Sequence, residues 1–147
     1  MKVVIGADHG GYKLKQKIIQ FLKTKGIKYK DVGTYSESSV DYPIYAEKVG
    51  REVSARRASR GILICKSGTG MSIAVNKIKG VRAAVCNSVR AARLSREHND
   101  ANVLTLGADF VNVNLAKKIL NTWLNTKFAA GRHKRRVRQI NKLESKS

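Results

Sequence analysis

A chain of 147 residues with 42% apolar residues is long enough for one domain with a sizeable core, and its net charge is +20. No apolar run approaches the ~20 residues of a membrane-spanning helix, and we identify no signal peptide at the N-terminus. The two cysteines, Cys65 and Cys86, are too few for a disulfide framework and lack zinc-site spacing. We therefore expect residues 1–147 to form a single domain in the reducing cytoplasm, with no membrane partner.

The positive charge has three possible explanations. Lysines and arginines are dispersed along the chain, except in 132–138, where five cations fall within seven residues. A nucleic-acid-binding module would account for this charge, but so would biased helix faces or a small anionic substrate such as a phosphate. Dispersal makes nucleic acid an unlikely main partner.

Short strand-type runs alternate with helical stretches along the chain. In chain order, the predicted strands are Lys2–Ala7, Ile27–Val32, Arg60–Cys65, Val81–Cys86 and Ala101–Leu106. Each is followed by a predicted helix, and these helices are Gly11–Lys25, Asp41–Arg56, Gly70–Lys77, Ser88–Glu97 and Asn112–Trp123. A basic helix, Arg132–Leu143, follows Gly131. This alternation predicts five parallel strands with helices on both faces of the sheet. Ligands of such sheets bind beyond the carboxyl ends of the strands, so the residues after each strand are the candidates.

Asp8 and His9 follow the first strand and precede two glycines at the start of a helix. A carboxylate and an imidazole at this position can contact a ligand. The alternative is that Asp8 caps the helix and that His9 has no role.

The third strand ends at Cys65 and is followed by the glycine-containing turn Lys66–Gly70. Backbone N–H groups of such a turn can converge on an anion, and a thiol at its mouth can supply a thiolate. The turn fits neither a Walker loop nor a dinucleotide fingerprint. The alternative is a buried core cysteine followed by a plain turn, and Cys86 is interpreted as a packed hydrophobic residue.

Two more candidate sites come later in the chain. His98, followed by Asn99, is suited to proton exchange near neutral pH, or else ends a helix. Arg132 and Arg136 are four residues apart and would share one helix face that can clamp a phosphate, unless they belong to a solvated tail. With Cys65, these groups suit deprotonation next to a carbonyl on a phosphorylated substrate.

Five motifs in order resemble type B ribose-5-phosphate isomerases, whose wider family includes galactose-6-phosphate isomerase subunits. These are ADHGG near the N-terminus, DYP at 41–43, GILICKSGTGMSIAVNK at 61–77, LSREHNDANVL at 94–104 and GRHKRRV at 131–137. The resemblance implies a Rossmann-like three-layer α/β/α sandwich and a homodimer or dimer of dimers with the active site between subunits. It also implies interconversion of ribose 5-phosphate and ribulose 5-phosphate in the pentose phosphate pathway. This reaction has no redox step and the sequence has no clustered set of metal ligands, so we expect neither an organic cofactor nor a metal.

The resemblance also assigns roles to residues. Cys65 would remove the C2 proton, His98 would assist ring opening beside Asn99, and Ser67 would keep a polar or proton-relay role. The residues that would bind substrate are Asp8, His9, Tyr42, Lys66, Gly68, Thr69, Gly70, Asn99, Arg132 and Arg136.

The sequence departs from the family pattern at two positions. Ser67 stands where Thr is frequent, and Asp109 stands where relatives often carry an Arg. Some relatives use a Glu as base further along the loop, but the stretch MSIAV at 71–75 has none, which favours Cys65. An isomerase for a six-carbon sugar phosphate, such as galactose or allose 6-phosphate, remains the nearest alternative.

Overall fold

The structure, a computed structural model, describes residues 1–146 and has the predicted alternation of strands and helices. The strands are β1 (Lys2–Ala7), β2 (Lys28–Asp31), β3 (Arg60–Cys65), β4 (Ala83–Val85) and β5 (Val103–Gly107). The helices are α1 (Tyr12–Thr24), α2 (Tyr42–Ser54), α3 (Thr69–Val75), α4 (Val89–Asn99), α5 (Val113–Asn125) and α6 (Arg132–Leu143). The sequence-based predictions of type are confirmed for these elements, and their bounds differ from the prediction by at most two residues.

The five strands form one all-parallel sheet in the order β2-β1-β3-β5-β4. The strand β4 is half as long as predicted, because it spans Ala83–Val85 rather than Val81–Cys86. The N–H of Arg82 donates to the side-chain oxygen of Asn102 at 2.8 Å, so the pairing with β5 begins only at the next residue.

Apolar side chains pack on both faces of the sheet. In β3, Ile62 and Ile64 join a cluster with α1, α4 and α5, whereas Leu63 and Cys65 join a second cluster with α2 and α3. Side chains alternate between faces along a strand, and central parallel strands are buried on both sides, which explains the continuous apolar run of β3. The Rossmann-like three-layer sandwich is confirmed.

The order of the strands reverses at β1. The chain passes from β1 to β2 on one side and then returns to β3 on the other. In open α/β sheets the crevice at such a reversal is the usual ligand site. Among residues 1–146, every helix is too short or too polar to cross a membrane.

Candidate active site

Two turns flank the crevice between the carboxyl ends of β1 and β3. One begins with Asp8 and His9, and the other consists of Cys65 and the turn Lys66–Gly70. We call these residues, together with Tyr42, the carboxyl-edge group. The structure therefore brings together nine of the residues proposed from sequence, although they come from three separate segments.

The sulfur of Cys65 faces a backbone donor. The N–H of Gly68 donates to Cys65 Sγ at 3.1 Å, and Gly68 has a φ of 80°, in the left-handed region that favours glycine. The N–H of Thr69 donates to Ser67 Oγ at 3.2 Å. Two N–H groups of the predicted anion cup are thus engaged within the turn itself.

The two cysteines are similarly buried but differ in their contacts. Cys65 is 5% exposed and packs against the second cluster, which by itself favours a packing role. Its contact with the Gly68 N–H favours the other interpretation, because a donor directed at sulfur stabilises negative charge there. Burial raises the pKa of the Cys86 thiol, against the effect of a hydrogen bond with Ser95, and Cys86 lies in the first cluster. The packing role predicted for Cys86 fits this environment.

The end of β5 fixes the Cys65 turn from the other side. The N–H of Ala108 donates to the Cys65 carbonyl at 2.8 Å, and that of Asp109 to the Lys66 carbonyl at 2.9 Å. A Cβ on Gly107 would lie 2.6 Å from the Ser67 carbonyl oxygen, so only glycine fits there. Sequence analysis missed Gly107, although a glycine after a buried strand was an available signal. Asp109 is exposed at this edge and places a carboxylate there.

The Asp8 turn packs closely against β3. Asp8 is buried and its Oδ1 accepts the N–H of Gly11 at 3.0 Å, which orders the turn before α1. The N-cap of the helix is Gly11 itself, without a side-chain capping bond, so Asp8 does not cap α1. A Cβ on Gly11 would lie 2.3 Å from the Ile64 carbonyl oxygen, and one on Gly10 would lie 2.7 Å from Lys66 Cγ. Two adjacent glycines therefore let α1 begin directly beside the Cys65 turn.

His9 and Tyr42 are positioned by the chain between β2 and α2. The N–H of Val40 donates to His9 Nδ1 at 3.2 Å. The ring of Tyr42 lies against Gly70, where a Cβ would approach Tyr42 Cζ to 2.7 Å. The backbone of Val40 was not identified from sequence, because no side-chain pattern marks a backbone donor.

The other predicted residues lie elsewhere. His98 and Asn99 end α4, while Arg132 and Arg136 are exposed in the first turns of α6. We call these four the amino-edge group. His133, which sequence analysis did not single out, stacks on His98 with ring centroids 4.3 Å apart and so joins the two helices.

The two groups lie at opposite edges of the sheet. Arg82, just before β4, donates from Nε to the Asn99 carbonyl at 3.2 Å, which places the end of α4 beside the amino ends of the strands. Cys65 instead pairs with Gly107 at the carboxyl end of β5. The four steps from Val103 to Gly107 span about 13 Å at about 3.3 Å per residue. One chain therefore does not bring the amino-edge group to its own Cys65.

The pKa of His133 lies below its ordinary value, because burial, the neighbouring His98 and the guanidinium groups of Arg132 and Arg136 disfavour its protonated form; Glu97 acts in the opposite direction. His133 thus tends to stay neutral beside His98 near neutral pH. We expect His98→Gln to raise the pKa of His133 towards its ordinary value, as measured by NMR titration of the imidazole. An unchanged pKa of His133 would mean that burial and the arginines alone lower it.

Comparisons with known proteins find relatives over nearly the whole chain. A family model described as Ribose/Galactose Isomerase matches residues 3–140. Ribose-5-phosphate isomerase B of Escherichia coli is 43% identical over 145 residues, which cover 99% of this chain and 97% of the relative.

Solved structures are similar over the same length. Ribose-5-phosphate isomerase B of Clostridium thermocellum has a TM-score of 0.98 at 51% identity, covering 99% of each chain. The Mycoplasma genitalium enzyme, solved with bound ribulose-5-phosphate, has a TM-score of 0.95 at 39% identity, covering 99% of this chain and 97% of that one. The matches in sequence, length and fold together show that this chain belongs to the ribose/galactose isomerase family.

Proposed function

We propose that this protein interconverts ribose 5-phosphate and ribulose 5-phosphate through an enediolate. The observation that carries this proposal is the position of Cys65, which lies at the β1–β3 crevice with Asp8 and His9. Its sulfur accepts a hydrogen bond from the Gly68 N–H. The E. coli relative bears the name of this activity, and the M. genitalium relative was solved with bound ribulose-5-phosphate. Three of the five motifs, at 7–11, 41–43 and 61–77, thus flank a crevice suited to a small molecule, which a basic nucleic-acid-binding module would not require.

The proposed reaction moves one proton between adjacent carbons. Arg132 and Arg136 bind the substrate phosphate near His9, and His98 protonates the ring oxygen and opens the furanose. The Cys65 thiolate removes the proton from C2, and the resulting enediolate is reprotonated at C1. The hydroxyl proton moves from O2 to O1, a transfer that Ser67 can relay.

Charge develops on the substrate oxygens in this step. Backbone N–H groups of the turn Lys66–Gly70 are the proposed donors, and one donor of this kind is typically worth about 3 kcal/mol of the barrier. The N–H of Thr69 is held by Ser67 Oγ in the free protein, so its use requires that hydroxyl to turn towards substrate. Residues 1–147 act as one domain in this scheme, with α6 as its basic C-terminal helix.

Two chains complete each site in this proposal. The end of α4 and Cys65 of the same chain are separated along the strands by about the length of β5, about 13 Å, which is too far for the reacting atoms of one sugar phosphate to touch both. A homodimer, or a dimer of dimers, would place the amino-edge group of one chain beside the crevice of its partner. A cytoplasmic location fits this metabolic role.

The activity is tested by incubating purified protein with ribose 5-phosphate, allose 6-phosphate and galactose 6-phosphate, with and without a chelator. We expect the highest kcat/KM on the pentose phosphate and no loss with chelator. A higher kcat/KM on a hexose phosphate would mean that the enzyme is an isomerase for that sugar phosphate. Absence of turnover on all three substrates would refute the proposal.

Arg136→Ala is expected to raise KM for ribose 5-phosphate about 10-fold while kcat changes less, because it removes a contact made in both ground and transition states. Steady-state kinetics provide the measurement. Arg138→Ala, a change of the same kind on the same helix, is the control and should leave KM near the wild-type value. An unchanged KM in Arg136→Ala would place the phosphate elsewhere.

A further inference from the structure

Lys15 is a charged residue that the proposed reaction does not use. It lies on α1 and is fully enclosed, with 0% exposure. Its Nζ is 2.7 Å from Asp31 Oδ2, at the end of β2. Lysine is almost never fully buried unless paired, and a buried pair is often no more stabilising than an apolar one of the same size. The pair therefore calls for an explanation other than stability.

The contacts of this pair extend into the segment 32–41, which we call the β2–α2 loop. Asp31 Oδ1 accepts the N–H of Gly33 at 2.9 Å, and the hydroxyl of Tyr35 donates to the Asp31 carbonyl at 3.1 Å. Lys15 Nζ also lies 5.5 Å from the centre of the Tyr35 ring and 5.6 Å from that of Tyr12, within the range of cation–π attraction. Lys15 thus fixes the start of the loop to α1.

The end of the same loop reaches the candidate active site. The Val40 N–H donates to His9 Nδ1 at 3.2 Å, and His9 precedes α1, the helix that carries Lys15. A backbone N–H can only donate, so Nδ1 must hold a lone pair and the proton of the neutral ring is on Nε2. Loop and helix together thus select one tautomer, whose Nε2–H can donate to a phosphate oxygen.

We propose that Lys15 is a positioning residue: through Asp31 and the β2–α2 loop it holds Val40 against His9 and fixes the Nε2–H tautomer of that ring. The pairing is directional, which an apolar contact would not be, because Asp31 uses one carboxylate oxygen for Lys15 and the other for Gly33. The effect of the tautomer on phosphate binding rests on the proposed function. The link from Lys15 to His9 does not.

The test compares Lys15→Met with Lys17→Met, an exposed lysine on the same helix. The chain has three histidines, so the imidazole signals are assigned by replacing each in turn. In the substrate-free wild type and in Lys17→Met, ¹⁵N NMR should show His9 as a single Nε2–H tautomer. In Lys15→Met we expect a mixture of tautomers and, for ribose 5-phosphate, a KM raised about 5-fold with kcat within about 2-fold.

A purely structural role would give a different pattern. If Lys15→Met lowers the melting temperature but leaves the His9 tautomer and KM unchanged, the proposal is overturned. Should Lys15→Met not fold, Tyr35→Leu decides, because Tyr35 is 68% exposed and its replacement spares the core while removing both its hydroxyl and its ring from the cluster. A tautomer mixture in Tyr35→Leu supports the link, and a single tautomer rejects it. An inactive wild type would refute the isomerase proposal without changing the NMR result.

Discussion

Cys65→Ala is expected to lower kcat on ribose 5-phosphate by at least about 10³-fold, because it removes the only group proposed to take the C2 proton. The fold should persist, since losing one sulfur atom from a buried site costs about 1 kcal/mol. The measurement is a kcat from steady-state kinetics, with the melting temperature of each variant as a check on folding. Solvent exchange of the C2 proton should fall in parallel with kcat.

Cys86→Ala is the matched control for this experiment. Cys86 is as buried as Cys65, but it packs in the other cluster, and burial raises the pKa of its thiol. We expect its replacement to lower stability by a similar amount and to leave kcat near the wild-type value. If Cys65→Ala and Cys86→Ala retained the same kcat, the assignment of Cys65 as base would be rejected and its burial would indicate packing alone.

The second large effect is expected for the activity of dimers made from two different inactive variants. Cys65→Ala and the double variant Arg132→Ala, Arg136→Ala should each be nearly inactive at substrate concentrations below the wild-type KM. In a two-fold dimer made from one chain of each, both defects fall in one site, and the other site is intact. We therefore expect the purified heterodimer, co-expressed with two affinity tags, to recover about half of the wild-type activity.

A site built from one chain alone predicts the opposite result. If each chain supplied a whole site, both sites of the heterodimer would carry a defect and activity would stay at the level of the parents. A dimer of two Cys65→Ala chains carrying the same tags is the control for tag effects. Sedimentation of the untagged protein as a monomer under assay conditions would also reject the shared site.

The local parts of the prediction succeeded for an identifiable reason. β1, β3 and β5 are short apolar runs buried on both faces, and α1 and α5 repeat apolar residues at helical spacing, so their types could be predicted from sequence. The position of Cys65 and Asp8 at one edge followed from parallel strands alone, since their carboxyl ends lie on the same side. Candidate site residues that follow a strand directly can thus be recognised from the sequence.

Other features depend on pairs of segments that the sequence does not connect. The stack of His133 on His98, the fit of Gly107 against the Ser67 carbonyl and the Val40 N–H on His9 each join residues at least 31 positions apart. None has a periodicity or a motif, because a close approach between backbone segments is set by packing. The side-chain pairing of Lys15 with Asp31, 16 positions apart, likewise has no motif that marks it.

The alternating α/β class and the element bounds, to within two residues, could be predicted from the sequence, which also supplied the candidate site residues. How those residues divide between the two edges of the sheet is seen only in the three-dimensional fold. It placed Cys65 and Asp8 at the carboxyl edge, and His98 and Arg132 near the amino edge, because α4 runs antiparallel to the strands and returns the chain to where they begin. Hydrophobic periodicity records which face of each element is buried, whereas the side of the sheet on which an element ends depends on how the elements are connected in space.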